Sequence, residues 1–351
     1  MNYFVPRYFA GFKCKMGDCR SACCVGWPVT VSMKNYFTLL GVPCRKELRD
    51  RLDCALRVVD RPTEEEYARF SPNWLGDCPM RMEDGRCSIH AELGEEVLSD
   101  VCRLYPRGVR LWNGRTECSA SNSCEKTLEL LWDETEPMTF EARDLALTPP
   151  PHPGSPSPTE GVPMTDEFRF SLIEAVGDRT KPLGERIRDL RRLMSCAPLT
   201  ESGDGIRAAL RITAYYADRS DSIREAGCAV IGRYENSPDL YRKDAAAFEA
   251  RFPKWERFWE QMTANHMFFS QFPYYGIARE EAWKSLAAVY GLTRILAVGT
   301  LAAREARDPA GDRDTLIDVL AAAFRLIAHT PFERSVSAAL GGCDGGELLG
   351  L

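Results

Sequence analysis

Two regimes of hydrophobic patterning divide the chain. Beyond residue 163 apolar positions recur at helical spacing almost without a break. In DEFRFSLIEAVGD, Phe168, Leu172, Ile173 and Val176 share one face, and in GERIRDLRRLMSC so do Ile187, Leu190, Leu193 and Met194. Long helices are predicted over KDAAAFEARFPKWERFWEQMTANHMFFSQF, REEAWKSLAAVYGLTRILAVGTLAAREA and DTLIDVLAAAFRLIAHT. The first third is different. Short extended pieces such as WPVTVS, where Val29 and Val31 alternate with polar residues, mix with short helical ones such as ELGEEVLSDVCRLY. Between the two regimes lies TPPPHPGSPSPTEGVP, Thr148 to Pro163, whose seven prolines exclude helix and central strand.

With no strand–helix alternation and no fixed repeat, the expected fold is mainly α. It comprises a cysteine-rich metal-binding domain with short extended segments over 1–135, a Pro-rich linker over 136–163 and a helical domain over 164–351. The most apolar stretch, SLAAVYGLTRILAVGTLAARE from Ser285, carries Arg294 in its middle and predicts a buried core helix, not a membrane span. Arg7 and Lys13 interrupt the apolar pieces before Cys14, so no secretion signal is read and a cytoplasmic location is expected, without membrane attachment. The 51 acidic and 45 basic side chains are well mixed and leave a formal charge of -6, which argues against nucleic acid as a partner.

Cysteine usage changes the picture most. Eleven of fourteen cysteines precede residue 125, too many for disulfides in a reducing compartment. FKCKMGDCRSACCVGW holds Cys14, Cys19, Cys23 and Cys24, and crowding of this kind suits thiolates around a soft metal. Cys78 and Cys87 flank a loop with Asp84-Gly85 as its turn, and Cys102 and Cys124 follow. The spacing C-x4-C-x3-C-C lacks the paired C-x2-C of structural zinc, so zinc is the alternative metal and an iron–sulfur cluster the leading one. Cys44, Cys54, Cys196, Cys228 and Cys343 stand alone and read as small buried apolar residues; Cys118 is ambiguous, and His90 reads as a packing or hydrogen-bonding residue.

The segments YFVPRYFAGFKC, CPMRMEDGRCSIHAELGEEVLSDVCRLYPR, SNSCEKTLELL and NHMFFSQFPYY together resemble the flagellin lysine-N-methylase family (FliB), whose amino-terminal part belongs to a set of cysteine-rich zinc- or iron-chelating domains. The family's cysteine pattern falls on Cys14, Cys19, Cys23, Cys24, Cys78, Cys87, Cys102 and Cys124. The resemblance implies methyl transfer from S-adenosylmethionine to surface lysines of flagellin, with an iron–sulfur cluster of the 4Fe-4S type held by a subset of these cysteines. The carboxyl end, GGCDGGELLGL, stops where longer members of the family continue.

A nucleotide-type donor site is not legible: ESGDG (Glu201 to Gly205) and GGCDGG (Gly341 to Gly346) have no apolar strand feeding them and read as loops. The cluster itself offers one alternative, since three cysteines leave an iron open to the donor's amino and carboxylate groups, which makes Cys14, Cys19, Cys23 and Cys24 the cofactor-binding candidates; the radical-enzyme spacing C-x3-C-x2-C is not present, although C-x3-C-C from Cys19 to Cys24 is near it. Polar methylation needs only a deprotonated lysine, a base and alignment. Tyr105 and Arg107 in CRLYPR, and Tyr274 and Tyr275 in QFPYYG, are weak candidates for that role, packing being the commoner use of such rings. A non-catalytic metal-binding interaction module and an electron-transfer protein are the competing readings.

Overall fold

A computed structural model of the chain describes all residues except 21–22, 25–28, 75, 148–149, 151–152, 200–202 and 305–307. The chain opens with strand β1 (Asn2–Pro6) and then enters a compact unit spanning Lys13–Gly108. That small unit contains β2 (Val29–Val31), α1 (Met33–Gly41), α2 (Lys46–Ala55), β3 (Leu56–Val58), β4 (Ala68–Phe70), α3 (Ser88–Leu93) and α4 (Asp100–Leu104). Its three strands form an antiparallel sheet in the order β2-β4-β3, with Val29 opposite Phe70 and Leu56 opposite the same residue. Val29 and Val31 are buried and Thr30 is not, as the alternation predicts. Leu39, Leu48, Leu52, Met80 and Ile89 complete the core.

The second unit joins Met1–Phe12 to Val109–Leu351. The expected domain boundary at residue 135 therefore falls inside it. Strands β5 (Arg107–Trp112) and β6 (Arg115–Ala120), then helix α5 (Glu125–Asp133) and strand β7 (Phe140–Asp144), precede the helical run. The sheet order is β5-β6-β1-β7, β1 pairing parallel with β6 and antiparallel with β7. Part of the expected linker is thus a strand: Phe140 lies opposite Pro6 and Asp144 opposite Asn2. The proline-rich segment keeps only Pro150 and 153–163 among the described residues.

Among the described residues nine helices follow: α6 (Asp166–Gly177), α7 (Leu183–Leu193), α8 (Gly205–Ala217), α9 (Asp221–Tyr234), α10 (Pro238–Arg251), α11 (Trp255–Phe269), α12 (Arg279–Ala302), α13 (Pro309–His329) and α14 (Phe332–Leu340). The mainly α expectation holds. Starts are chemically marked: Thr165 caps α6, Asp204 caps α8 and Asp308 caps α13, each through a side-chain oxygen accepting backbone N–H groups. The stretch expected as one helix from Lys243 to Phe272 is broken at Phe252-Pro253, because proline supplies no N–H to continue the ladder. Leu193, expected on the buried face of α7, is exposed, and Arg186 and Arg191 are buried in that helix instead. Of the two expected loops, Glu201 and Ser202 lie outside the described residues and Gly205 begins α8, whereas Gly341 to Gly345 is a loop.

Helix α12 is long and apolar enough to cross a membrane by length and composition, yet it is the buried centre of the helical unit. Arg294 in its middle is fully buried. Its guanidinium pairs with Glu249 and stacks on Trp255, 3.8 Å from the ring centre, so the charge is met inside the protein.

Candidate functional site

The small unit gathers thiols from four separated segments. Cys24, Cys78, Cys87 and Cys102 are half-buried, and every pair among them lies within electrostatic reach. Backbone bonds fix the approach: Cys78 N–H donates to Cys24 O at 2.9 Å, and Met82 N–H donates to Arg86 O at 2.8 Å across a turn where Gly85 has φ 82°. Arg81 and Cys87 bridge as an antiparallel pair, so the Cys78–Cys87 segment is the hairpin-like loop its turn residues predicted.

Each sulfur is polarised differently. Cys24 is held below the usual thiol range, first by the hydrogen bond from the adjacent Cys23 thiol and then by the Arg81 guanidinium, which also pairs with Asp77 at 3.3 Å. Burial pushes Cys78 up to about 12 against the opposing Met80 N–H, and Cys102 up to about 11 against the Ser99 hydroxyl. Burial also raises Cys87, although its sulfur accepts from the Ile89 and His90 amides at the start of α3. His90 therefore contributes a backbone N–H to the sulfur's surroundings. Three of the four are protonated thiols at neutral pH unless a metal displaces the protons.

Cys23 is exposed and lies within electrostatic reach of Cys14 and Cys102; exposed Cys14 accepts from Met16 N–H at 3.4 Å, and Cys19 is half-buried in the same unit. Cys124 belongs to the other unit, at the N-cap of α5, where it and fully buried Cys118 act on Tyr8. Among the described residues no three Cys, His, Asp or Glu side chains already form a coordination sphere. Thiols are soft donors, of the kind that iron–sulfur and zinc centres use.

The weak catalytic candidates are occupied structurally. Tyr105 caps α4, donating its N–H to Val101 O, and Arg107 Nη1 donates to Arg103 O at 3.3 Å. Tyr274 donates its hydroxyl to Pro163 O at 2.6 Å, and burial pushes it up to about 12. Tyr275 shares a hydrogen bond with Ser270 at 2.7 Å and is raised as well. Neither phenol is poised as a base at neutral pH.

Sequence reading passed over a buried polar network in the large unit. Tyr8 donates to Asn265 Oδ1 at 2.7 Å, and Asn265 Nδ2 donates to Asn122 Oδ1 at 2.6 Å and to Ala120 O at 2.9 Å. Asn122 Nδ2 donates to Met262 O at 2.9 Å, and Ser123 meets His329 at 2.9 Å. The signal was present in the sequence as the polar triplet Ser121-Asn122-Ser123 between β6 and α5. Among the cavities formed by the described residues, two that belong to this unit stand out. One, of about 550 Å³, is walled by Phe4, Phe140, Phe170 and Ile173, with Glu174 and Glu260 among its carboxylates. The other, of about 1060 Å³, is lined from α8, α10 and the chain's last turn.

No family model matches the sequence and no solved structure matches it. Among curated proteins, the lysine-N-methylase of Salmonella typhimurium LT2 is 23% identical over 144 residues, covering 40% of this chain and 35% of the relative, and that of Salmonella choleraesuis SC-B67 gives the same figures. The flagellar biosynthetic protein FliU of Salmonella muenchen is 23% identical over 139 residues, 38% of this chain and 79% of FliU. The chain thus spans about a third of the length of the curated lysine-N-methylases it matches. Over about two-fifths of its own length the chain is therefore similar to proteins named lysine-N-methylase and FliU.

Proposed function

We propose that the protein is a cytoplasmic lysine N-methyltransferase that transfers a methyl group from S-adenosylmethionine to lysines of flagellin. The observation that carries this reading is the similarity to two lysine-N-methylases and to FliU. In the reaction the lone pair of a neutral lysine Nζ attacks the sulfonium methyl carbon. The C–S pair stays on sulfur, leaving S-adenosylhomocysteine, and the ammonium proton passes to water or a carboxylate.

Cys24, Cys78, Cys87 and Cys102 would hold an iron–sulfur cluster of the 4Fe-4S type, with zinc as the alternative occupant. Such a cluster supplies a redox-active iron centre. The chain's own part is to bring four segments together and to lower one thiol through Cys23 and Arg81. The cleft beside β7 supports the enzymatic reading: its aromatic wall suits the aliphatic stem of a lysine, and Glu174, unpaired among the described residues, offers a carboxylate at its mouth.

The test is anaerobic incubation of the purified chain with flagellin and S-adenosylmethionine, read by peptide mass spectrometry. Methyl increments on flagellin lysines that depend on donor and protein support the assignment. A metal-loaded chain that leaves every lysine unmodified favours the non-catalytic metal-binding module instead.

A further inference from the structure

The 1060 Å³ cavity in the large unit carries an unexplained polar group. Tyr241, on α10, lines it; the residue is only 2% exposed, and its hydroxyl has no hydrogen-bond partner among the described residues. An unsatisfied buried hydroxyl is costly unless something else satisfies it. A second orphan lies close by. Fully buried Arg294 acts electrostatically on Tyr241, pairs with the cavity-lining Glu249, and leaves Nη1 unpartnered among the described residues.

The rest of the lining narrows the ligand. Glu249, Asp204, Asp344 and Glu347 set four carboxylates against the two guanidinium groups of Arg188 and Arg242. Leu199, Ile206, Ala245 and Ala246 supply apolar wall. Asp204 and Glu249 are already paired with Arg207 and Arg294, so the lining offers charge of both signs, Glu347 for a cation and Arg188 for a carboxylate, and the phenol asks for a hydrogen-bonding partner. The volume is at the upper end for a small-molecule site, which leaves room for a second, slimmer group beside the ligand. Glycines keep the cavity's edge thin: a Cβ on Gly205 would lie 2.3 Å from Glu347 O, so α8 and the last turn meet backbone to backbone.

Resting on the methylase reading, we propose that this cavity, with Tyr241, Glu249, Glu347 and Arg188 as its recognition groups, is the site of S-adenosylmethionine. The donor combines what the lining asks for, a sulfonium and an ammonium beside a carboxylate and a hydrogen-bonding ring system.

The test is calorimetric titration of S-adenosylmethionine and S-adenosylhomocysteine into the anaerobically purified whole chain. Tyr241→Phe removes a hydroxyl with no partner among the described residues, so the variant should fold with unchanged or raised thermal stability while binding the donor about tenfold more weakly. Glu347→Gln should shrink the preference for the cationic donor over its neutral product. Donor binding that is unchanged in both variants overturns this site and leaves the methylase reading standing. No donor binding to the wild-type chain overturns the site and removes the donor from the methylase reading as well.

Discussion

Tyr8 and Asn265, 257 residues apart, are joined by a 2.7 Å hydrogen bond from the phenol to the amide oxygen. Through it three segments singled out by the family resemblance meet: the opening YFVPRYFAGF, the SNS turn with Asn122, and the α11 segment NHMFF. Tyr8 also accepts the Ala120 N–H at 3.2 Å, so it closes β6 onto the amino terminus. Tyr8→Phe strips both bonds from buried partners and should cost about 1–3 kcal/mol in urea unfolding. An unchanged midpoint would mean that the network contributes nothing to the large unit.

Gly17 and Gly85 make a second close contact, within the small unit. A Cβ on Gly85 would stand 2.5 Å from Gly17 O, and Gly85 already sits at φ 82°. Gly85→Ala therefore faces both the left-handed backbone penalty, about 1–2 kcal/mol, and a clash with backbone that cannot rotate away. The expected outcome is a sharp loss of bound metal after anaerobic purification, because the turn positions Cys78 and Cys87. Full metal content in this variant would remove the hairpin from the account of the site.

The thiol quartet makes a selective prediction about metal content. Cys102→Ala should empty the centre or reduce its stoichiometry, whereas Cys54→Ala and Cys228→Ala, at exposed lone positions, should leave iron and zinc content unchanged. Elemental analysis of the three variants beside wild type decides. Equal metal content in all of them would exclude the quartet.

What was legible in the sequence follows from which interactions are local. Helical spacing exposed α6, α7, α12 and α13 and ran α10 and α11 together as one helix, since such spacing is written within one segment, and Asp84-Gly85 announced its own turn. The sheet of the large unit was not legible. It pairs β1 with β7 across more than a hundred residues and draws a piece of the expected linker into strand register, so no local pattern marks the true unit boundaries. The cysteine segments were visible as motifs, but only the fold separates Cys24, Cys78, Cys87 and Cys102, which cluster in the small unit, from Cys124, which caps α5. Buried charge escaped notice for the same reason: Arg169 follows Phe168 on α6, and only its distant partner Glu117 on β6 makes its burial tolerable.

That pair yields a further prediction. Arg169 donates to Glu117 at 2.7 and 2.9 Å and to Phe268 O at 3.1 Å, with its guanidinium 4.4 Å from the centre of the Trp112 ring. Both side chains are essentially inaccessible to water. Arg169→Met leaves buried Glu117 with the 2.8 Å bond from Arg115 but without its buried partner and should cost up to about 3–5 kcal/mol, whereas the double variant with Glu117→Gln should recover a measurable part of that loss. Additive losses in the double-mutant cycle would mean that the two residues act independently.

Part of the acid sensitivity should trace to His266. It lies on α11 with its ring 5.8 Å from that of Phe324, and burial alone lowers it from the ordinary 6.5 to about 4. Between those values the unfolded chain binds a proton that the folded chain does not, so stability rises with pH through this window and falls on acidification. The contribution is fully present above about pH 6.5 and lost by about pH 4; a shift of this size corresponds to about 3 kcal/mol. His266→Gln removes the titrating group, and its unfolding midpoint, followed from pH 7.5 down to about 4, should decline less steeply than that of the wild type. Parallel curves for the two proteins would assign the acid loss to other groups and mean that the folded imidazole takes up its proton as the unfolded one does.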